Sequence, residues 1–275
     1  MATSMSDASS RRRTRQSGVF VRDSPKNRSL ERGLQILRVF RIGGSGLGNA
    51  EIALRTGLPR STVSRLTRTL VDTGFLAYDV DDGAYRPGLQ LLSLGEAARQ
   101  GSEVLRAALP TMHRVARKYE VNVGLATVDG DEVVYLESVR RSRRGVFRHM
   151  TSGMRIPVAD TALGQAWLAG VDPATRDAMI PRLAMRHGEG FDRVEAALAR
   201  AIGHVDRHGW CGAVWIPGMM SVATPLRVPG QAVHAINVSY PVGDDPADGS
   251  QSRYVGYLFE ARDGIREALG LAGSA

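Results

Sequence analysis

The 275-residue chain is long enough for two domains of about 100 to 150 residues each, and its 43% hydrophobic and 23% charged content is ordinary for a folded protein. No apolar run approaches the roughly 20 residues of a membrane helix, and the single cysteine, Cys211, excludes an internal disulfide and a cysteine-rich zinc site. The net charge of +8 is concentrated in residues 1–100, which hold 16 Lys and Arg against 9 Asp and Glu. A polyanion such as DNA is the simplest partner for that half.

The first 28 residues are rich in Ser, Arg and Asp and poor in apolar side chains. Such a segment cannot bury enough surface to offset the entropy of ordering, so we expect a disordered basic arm over 1–28. Its arginines could contact phosphates or a minor groove, or could simply be solvated. The segment lacks the apolar stretch of a secretory signal, which favours a cytoplasmic protein without membrane contact.

A first helix is predicted from Ser29, because Leu30, Leu34 and Leu37 recur at helical spacing after a serine that can cap the helix. The glycine-rich segment 43–48 ends this helix. It matches neither of the glycine motifs that bind phosphate, so we interpret it as a turn.

The next segment has the spacing of a helix-turn-helix. Asn49–Thr56 predicts a short helix, Gly57 to Pro59 the turn, and Arg60–Val71 a second helix. The residues on its polar face or at its N-terminal end are the candidates for contact with DNA bases and phosphates: Arg60, Ser61, Thr62, Ser64, Arg65 and Arg68. The alternative is an ordinary solvated face in a helical hairpin.

A two-stranded wing is predicted after the second helix. Residues 74–78 and 84–86 have strand character, and the sequence between them, Asp81-Asp82-Gly83, is typical of a hairpin turn. A further helix begins at Leu89 and is placed to act as a linker or a dimer contact. These elements indicate a winged helix-turn-helix over 29–88 and a linker helix over 89–103.

The C-terminal half alternates between helix and strand patterns. Residues 104–119 have helical periodicity, and strand character is found at 121–128, 131–137, 221–226 and 233–240. This alternation predicts helices arranged around one sheet.

Two sets of motifs, in the same order along the chain, resemble the IclR family of transcriptional regulators. The N-terminal set is SLERGLQIL from Ser29, GLPRSTVSRL from Gly57 and GAYRPGL from Gly83. The C-terminal set is LPTMHRVA from Leu109, VGLATVDGDEVVY from Val123, ADTALGQAWLA from Ala159 and SVATPL from Ser221.

The resemblance implies an α+β chain of two domains: a winged helix-turn-helix and a GAF-like α/β effector-binding domain over 104–265, followed by a tail over 266–275. It also implies a homodimer or a dimer of dimers, a palindromic operator in double-stranded DNA, and control of genes for the catabolism of small organic acids or aromatic compounds. The regulator could be a repressor or an activator.

The resemblance further implies a cleft that binds the effector. The matching positions are Ile156, Thr161, Ala162, Leu163, Met219, Ser221, Asn237 and Ser239. Small residues at 161 and 162 would let a carboxylate approach the N–H groups at a helix N-terminus. Thr161 could equally serve only to cap that helix.

The chain departs from the family pattern in two places. Many members carry an acidic cluster where this chain has the apolar segment 209–220, which predicts a bulky or apolar effector. The second departure is a basic run made up of Arg140, Arg141, Arg143, Arg144 and Arg148. It could be a solvated loop, an anion-binding rim or a contact with DNA.

Two other classes of protein remain open at this point. An enzyme fused to a DNA-binding module would need catalytic residues, but the chain has no nucleophile elbow, P-loop or HExxH motif. His204 and His208 are four residues apart and could begin a metal site. An architectural DNA-binding protein would need no effector. We expect neither enzyme activity nor a cofactor.

Overall fold

The computed structural model describes residues 27–141, 150–242 and 250–271. Its helices and strands are, in chain order, α1 (Arg28–Arg38), α2 (Asn49–Thr56), α3 (Arg60–Asp72), β1 (Leu76–Asp79), β2 (Ala84–Pro87), α4 (Leu89–Gly101), α5 (Glu103–Tyr119), β3 (Asn122–Asp129), β4 (Glu132–Val139), β5 (Arg155–Pro157), α6 (Ala162–Gly170), α7 (Pro173–His187), α8 (Phe191–His208), β6 (Cys211–Ile216), β7 (Met219–Leu226), β8 (His234–Pro241) and α9 (Ser250–Ala268). Residues 1–26 of the predicted arm lie outside the described residues.

The N-terminal domain is the predicted winged helix-turn-helix. Helices α1 to α3 and the antiparallel hairpin β1–β2 surround a small core of Ile36, Leu47, Ile52, Val63 and Leu76. Gly57 ends α2 in the left-handed conformation, with φ +69, and its N–H donates to the carbonyl of Ala53 at 2.9 Å. That conformation favours glycine and sets the direction of α3.

Helix α1 differs from its prediction in its cap and in its buried face. Asn27 caps the helix, because its Oδ1 accepts a hydrogen bond from the N–H of Leu30 at 3.1 Å, whereas Ser29 already lies inside the helix. Ile36 is fully buried, but Leu30 and Leu34 are 60% and 53% exposed. The apolar stripe of α1 therefore lies only partly in the core of the domain.

Helix α4 connects the two domains and buries none of its 13 residues. It ends at Gly101, because the next residue, Ser102, has an extended backbone. The Oγ of Ser102 accepts a hydrogen bond from the N–H of Leu105 at the start of α5. The predicted linker over 89–103 thus corresponds to α4, its cap and the first residue of α5.

The C-terminal domain is built on one antiparallel sheet with strand order β5-β4-β3-β8-β7-β6. Helices α5 and α9 cover one face, around Met112, Leu125 and Leu258. Helices α6, α7 and α8 cover the other face, around Leu163, Leu168 and Leu198. The sheet between two helical layers is the predicted α/β domain.

The predicted strands correspond to β3, β4, β7 and β8, with ends shifted by one or two residues. Strands β5 and β6 and helices α7 and α8 were not predicted individually. Helix α9 extends to Ala268, three residues past the predicted end of the domain at 265. No helix within the described residues is long and apolar enough to span a membrane.

Candidate functional site

Helix α3 presents the predicted DNA-contacting residues on one exposed side. Five of the six are exposed, and Thr62 is half-buried: Arg60, Ser61, Thr62, Ser64, Arg65 and Arg68. The opposite side of α3 is fixed in the core by Val63 and Thr67, both fully buried. None of the three arginines forms an ion pair within the described part of the chain, so their guanidinium groups can bind phosphates or base edges.

The wing is acidic, whereas the exposed side of α3 is basic. Asp79, Asp81 and Asp82 lie in or beside its turn, and Arg86 pairs with Asp79 and Asp82. The backbone N–H of Asp82 holds the pKa of Asp79 below its ordinary value, despite the opposing effect of burial. The tip is therefore anionic at neutral pH and would repel phosphates. This charge distribution favours α3 over the tip of the wing for contact with DNA, which stays a prediction.

The C-terminal domain contains a cavity between the sheet and the N-terminal end of α6. The space between its atoms is about 560 Å³, part of it open to solvent. All eight positions implied by the family resemblance line this one cavity: Ile156, Thr161, Ala162, Leu163, Met219, Ser221, Asn237 and Ser239. Their role in binding an effector stays a prediction.

Six residues outside the eight predicted positions also line the cavity: Tyr135, Arg140, Met150, Trp215, Ile216 and Met220. Trp215 and Ile216 come from the apolar segment 209–220, so that segment does contribute an apolar wall. Arg140 places the start of the basic run at the cavity, which is compatible with the anion-binding rim left open by the sequence. It begins the basic run, of which residues 142–149 lie outside the described residues, and Arg141 is exposed.

The N-terminal end of α6 closes one side of the cavity. The Thr161 hydroxyl accepts a hydrogen bond from the N–H of Gly164 at 3.3 Å and donates one to the carbonyl of Pro157 at 2.7 Å. Thr161 therefore is a helix cap, as the alternative interpretation had it. Because the cap uses only its side chain, the residue can also border a ligand.

Apart from Thr161, the polar groups of the cavity lie in the strands or directly after β4. The Asn237 amide donates to Ser221 Oγ at 2.8 Å, and burial raises the pKa of Tyr135 to about 12, so the phenol is neutral at physiological pH. Burial also lowers the pKa of Arg140, an effect that the nearby Tyr135 opposes. The guanidinium stays charged but has lost part of its hydration, so an anion beside it would be stabilising.

His204 and His208, which could have begun a metal site, both lie on α8. The rings of His204 and His208 lie 4.5 Å apart, and burial is the main cause that lowers the pKa of His204. Among the described residues, no group of three His, Cys, Asp or Glu side chains is arranged to hold a metal ion. Cys211 is buried, and its thiol donates to the carbonyl of Ala162.

Comparison with known families decides the identity of the fold. The model of the IclR helix-turn-helix domain matches residues 29–80, and the model of the bacterial transcriptional regulator IclR C-terminal domain matches residues 97–258. The chain belongs to the IclR family. It is a DNA-binding transcriptional regulator of that family, whose helix-turn-helix domain contains α1 to α3 and whose IclR C-terminal domain contains the six-stranded sheet.

Individual members of the IclR family are similar over most of the chain. The Pca regulon regulatory protein of Pseudomonas putida is 28% identical over 258 residues, which cover 92% of this chain and 88% of that protein. A crystal structure of an IclR-family regulator from Brucella abortus is 31% identical, with a TM-score of 0.78, and the match covers 87% of this chain and 92% of that one.

A second solved structure carries a ligand. It is an IclR homologue from Microbacterium hydrocarbonoxydans complexed with 4-hydroxybenzoate, 28% identical, with a TM-score of 0.68. The match covers 89% of this chain and 100% of that one.

Proposed function

We propose that this IclR-family regulator binds an operator through α3 and responds to a small organic acid bound in the cavity of its C-terminal domain. The observation that carries the proposal is Arg140, a partly desolvated cation in the wall of a cavity that is otherwise largely apolar. A carboxylate would pair with the guanidinium, and an apolar body would contact Ile156, Leu163 and Met219. The 4-hydroxybenzoate-bound homologue supports a ligand of this kind.

The chemistry of the cavity favours binding over catalysis. The hydroxyls of Ser221 and Tyr135 both have the amide of Asn237 as a side-chain partner. An amide cannot accept the hydroxyl proton as a general base, so Ser221 is not activated as a nucleophile. We therefore propose a regulator without enzyme activity.

We also propose that the operator-binding form is a homodimer. The exposed Leu30 and Leu34 on α1 border an apolar groove between α1 and α3, and α4 leaves Leu89 and Leu92 82% and 72% exposed. A second copy of the same surface would cover these side chains, since apolar patches of this kind mark protein contacts. A two-fold dimer would require a near-palindromic operator, and this holds for a repressor and for an activator.

Substitution of Arg140 tests the effector site. We expect Arg140→Gln to weaken the binding of 4-hydroxybenzoate, measured by calorimetry, by roughly 10- to 100-fold, the usual effect of losing a hydrogen bond to a charged group. Arg141→Gln is the matched control, because Arg141 is the exposed neighbour in the chain. Equal losses in both variants would contradict the proposed anchor, and turnover of the acid would indicate an enzyme.

If benzoate, 4-hydroxybenzoate and hexanoate all fail to bind the parent protein, the acid effector is wrong. Specific binding of a duplex that is insensitive to every acid would favour an architectural protein.

A further inference from the structure

The DNA-binding domain contacts the C-terminal domain through a cluster of charges at the end of α1. Arg38 Nη2 lies 2.8 Å from both carboxylate oxygens of Asp129, and Arg41 Nη1 lies 3.0 Å from Glu132 Oε2. Both acidic residues belong to the β3–β4 hairpin and also pair with Arg155 of β5. Arg155 and Arg38 together hold the pKa of Asp129 below its ordinary value, so this carboxylate is ionised at neutral pH.

A second contact joins the end of α4 to the same part of the C-terminal domain. Arg99 donates to the carbonyl of Leu136 at 2.6 Å, to Ser152 Oγ at 2.7 Å and to Glu137 Oε2 at 2.7 Å. Leu136 and Glu137 lie in β4, and Ser152 lies in the turn before β5. The end of α1 and the end of α4 are therefore attached to one region, made up of Asp129, β4, β5 and residues 150–154, which we call the cavity wall.

The other side of the cavity wall borders the cavity itself. Tyr135, Met150 and Ile156 line it. Ile156 follows Arg155 directly in β5, and successive residues of a strand face opposite sides. The backbone of Tyr135 also pairs with the turn, accepting from the N–H of Gly153 at 2.7 Å and donating to the carbonyl of Met154 at 3.0 Å.

We propose that the cavity wall is the element through which the effector controls the DNA-binding domain, with Arg38, Arg41 and Arg99 attached to its outer side and the ligand to its inner side. This inference rests on the proposed function, since it assigns a route to the effector response. A ligand that moves Tyr135 or Ile156 changes the positions of the carboxylates and carbonyls that the arginines hold.

The exposure of these ion pairs sets the size of the expected effect. The Arg38 side chain is 67% exposed, and single exposed pairs contribute little to stability. Regulation requires only that the ion pairs have different strengths in two positions of the cavity wall. A ligand shifts the equilibrium between two conformations by the difference in its affinity for them. Loss of Arg38 and Arg41 together should therefore lower the coupling between ligand and DNA by about three- to tenfold.

The test measures this coupling in the full chain. The dissociation constant of a duplex from upstream of the protein's own gene is determined by fluorescence anisotropy, without and with saturating 4-hydroxybenzoate, benzoate or hexanoate. The variants are Arg38→Ala with Arg41→Ala, Arg38→Asp alone, and Arg38→Asp with Asp129→Arg. Asp263→Asn is the matched control, because it removes an exposed pair, Arg262–Asp263, that lies within α9.

We expect the double alanine variant and Arg38→Asp to lose coupling while binding the acid as the parent does without DNA. The charge-reversed pair should regain part of the coupling, and Asp263→Asn should retain all of it. Parental coupling in the double alanine variant would overturn the inference and leave the proposed function intact. Loss of acid binding in that variant would also overturn it, since the cluster would then only support the cavity. Failure of the parent to bind any of the acids would remove the proposed function, and this inference with it.

Discussion

The Cα of Gly164 lies so close to the backbone of Val158 that a Cβ at position 164 would come within 2.0 Å of the Val158 carbonyl oxygen. This contact places the first turn of α6 directly on the loop that enters it. Thr161 and Ala162, which line the cavity, are held between these two points. The shape of this end of the cavity therefore depends on the absence of one side chain.

We expect Gly164→Ala to lower the free energy of unfolding by about 1 to 3 kcal/mol or more, because the clash is with backbone that cannot rotate away. Urea denaturation followed by circular dichroism measures the change. Gly256→Ala is the matched control: a Cβ there meets nothing within 4 Å, so the substitution should be neutral or stabilise α9 by up to about 1 kcal/mol. Similar urea midpoints for the two variants would show that the backbone at Val158 can move away from a side chain at position 164.

Arg65→Ala should weaken binding of the operator duplex by about 1 to 3 kcal/mol, since an exposed arginine on a recognition helix contributes a base or phosphate contact of that size. Anisotropy titrations at several salt concentrations measure the loss. Arg65 also borders the groove between α1 and α3, so sedimentation must show an unchanged oligomeric state. Arg193→Ala, at an exposed position on α8, is the control. Unchanged affinity in Arg65→Ala would remove this residue from the DNA interface.

Leu92→Glu should dissociate the proposed dimer, because it places a carboxylate in the apolar surface that a second copy would cover. Sedimentation velocity should show the monomer, and operator affinity should fall with it. Met185→Glu tests whether the position matters, since Met185 is 87% exposed but lies on α7, in the C-terminal domain. A dimer that survives Leu92→Glu but not Met185→Glu would place the interface elsewhere.

Stability should fall with decreasing pH because of His234. This histidine is 7% exposed, and burial lowers its pKa in the folded chain, with a backbone hydrogen bond opposing the shift. The unfolded chain, with a histidine pKa of about 6.5, then binds more protons below that pH, so stability is lost as the pH falls from about 6.5 towards the folded pKa. Thermal melts between pH 8 and pH 5 measure this loss.

His234→Gln should flatten that part of the pH profile, while His113→Gln, at an exposed position on α5, should leave it unchanged. An identical acid slope in the parent and in His234→Gln would assign the loss to other groups.

The DNA-binding domain was predictable because its signals are local. Helical spacing, the left-handed Gly57 and the turn before Ala84 each concern a few neighbouring residues, and α2 has the predicted bounds. The exposure of Leu34 was not predictable. Helical spacing shows that its side chain belongs to an apolar stripe, but it does not show whether another surface of the same chain covers that stripe. The cap differed because Asn27 and Ser29 are both good capping residues, and only the structure shows which one accepts the bond.

The cavity shows the same division between local and distant information. Its eight predicted residues came from the family resemblance, and they meet at one place in the fold. Arg140 could not be assigned, because a basic run has the same pattern whether it is solvated or lines a pocket. The contact between Arg38 and Asp129 joins residues 91 positions apart, and no periodicity in the sequence indicates it.

Helix α4 runs from the wing of the DNA-binding domain to the C-terminal domain, which it contacts through Arg99. Its 13 residues span about 20 Å, and the contacts of Arg99 hold its C-terminal end at the C-terminal domain. A rotation of about 10° there would carry the far end through about 3.5 Å, close to the 3.4 Å or so between successive base pairs. Once the pairs of Arg38 and Arg41 are broken, a rotation of this size would shift the DNA-binding domain by about one base pair along the DNA, enough to put the two half-sites of the proposed operator out of register.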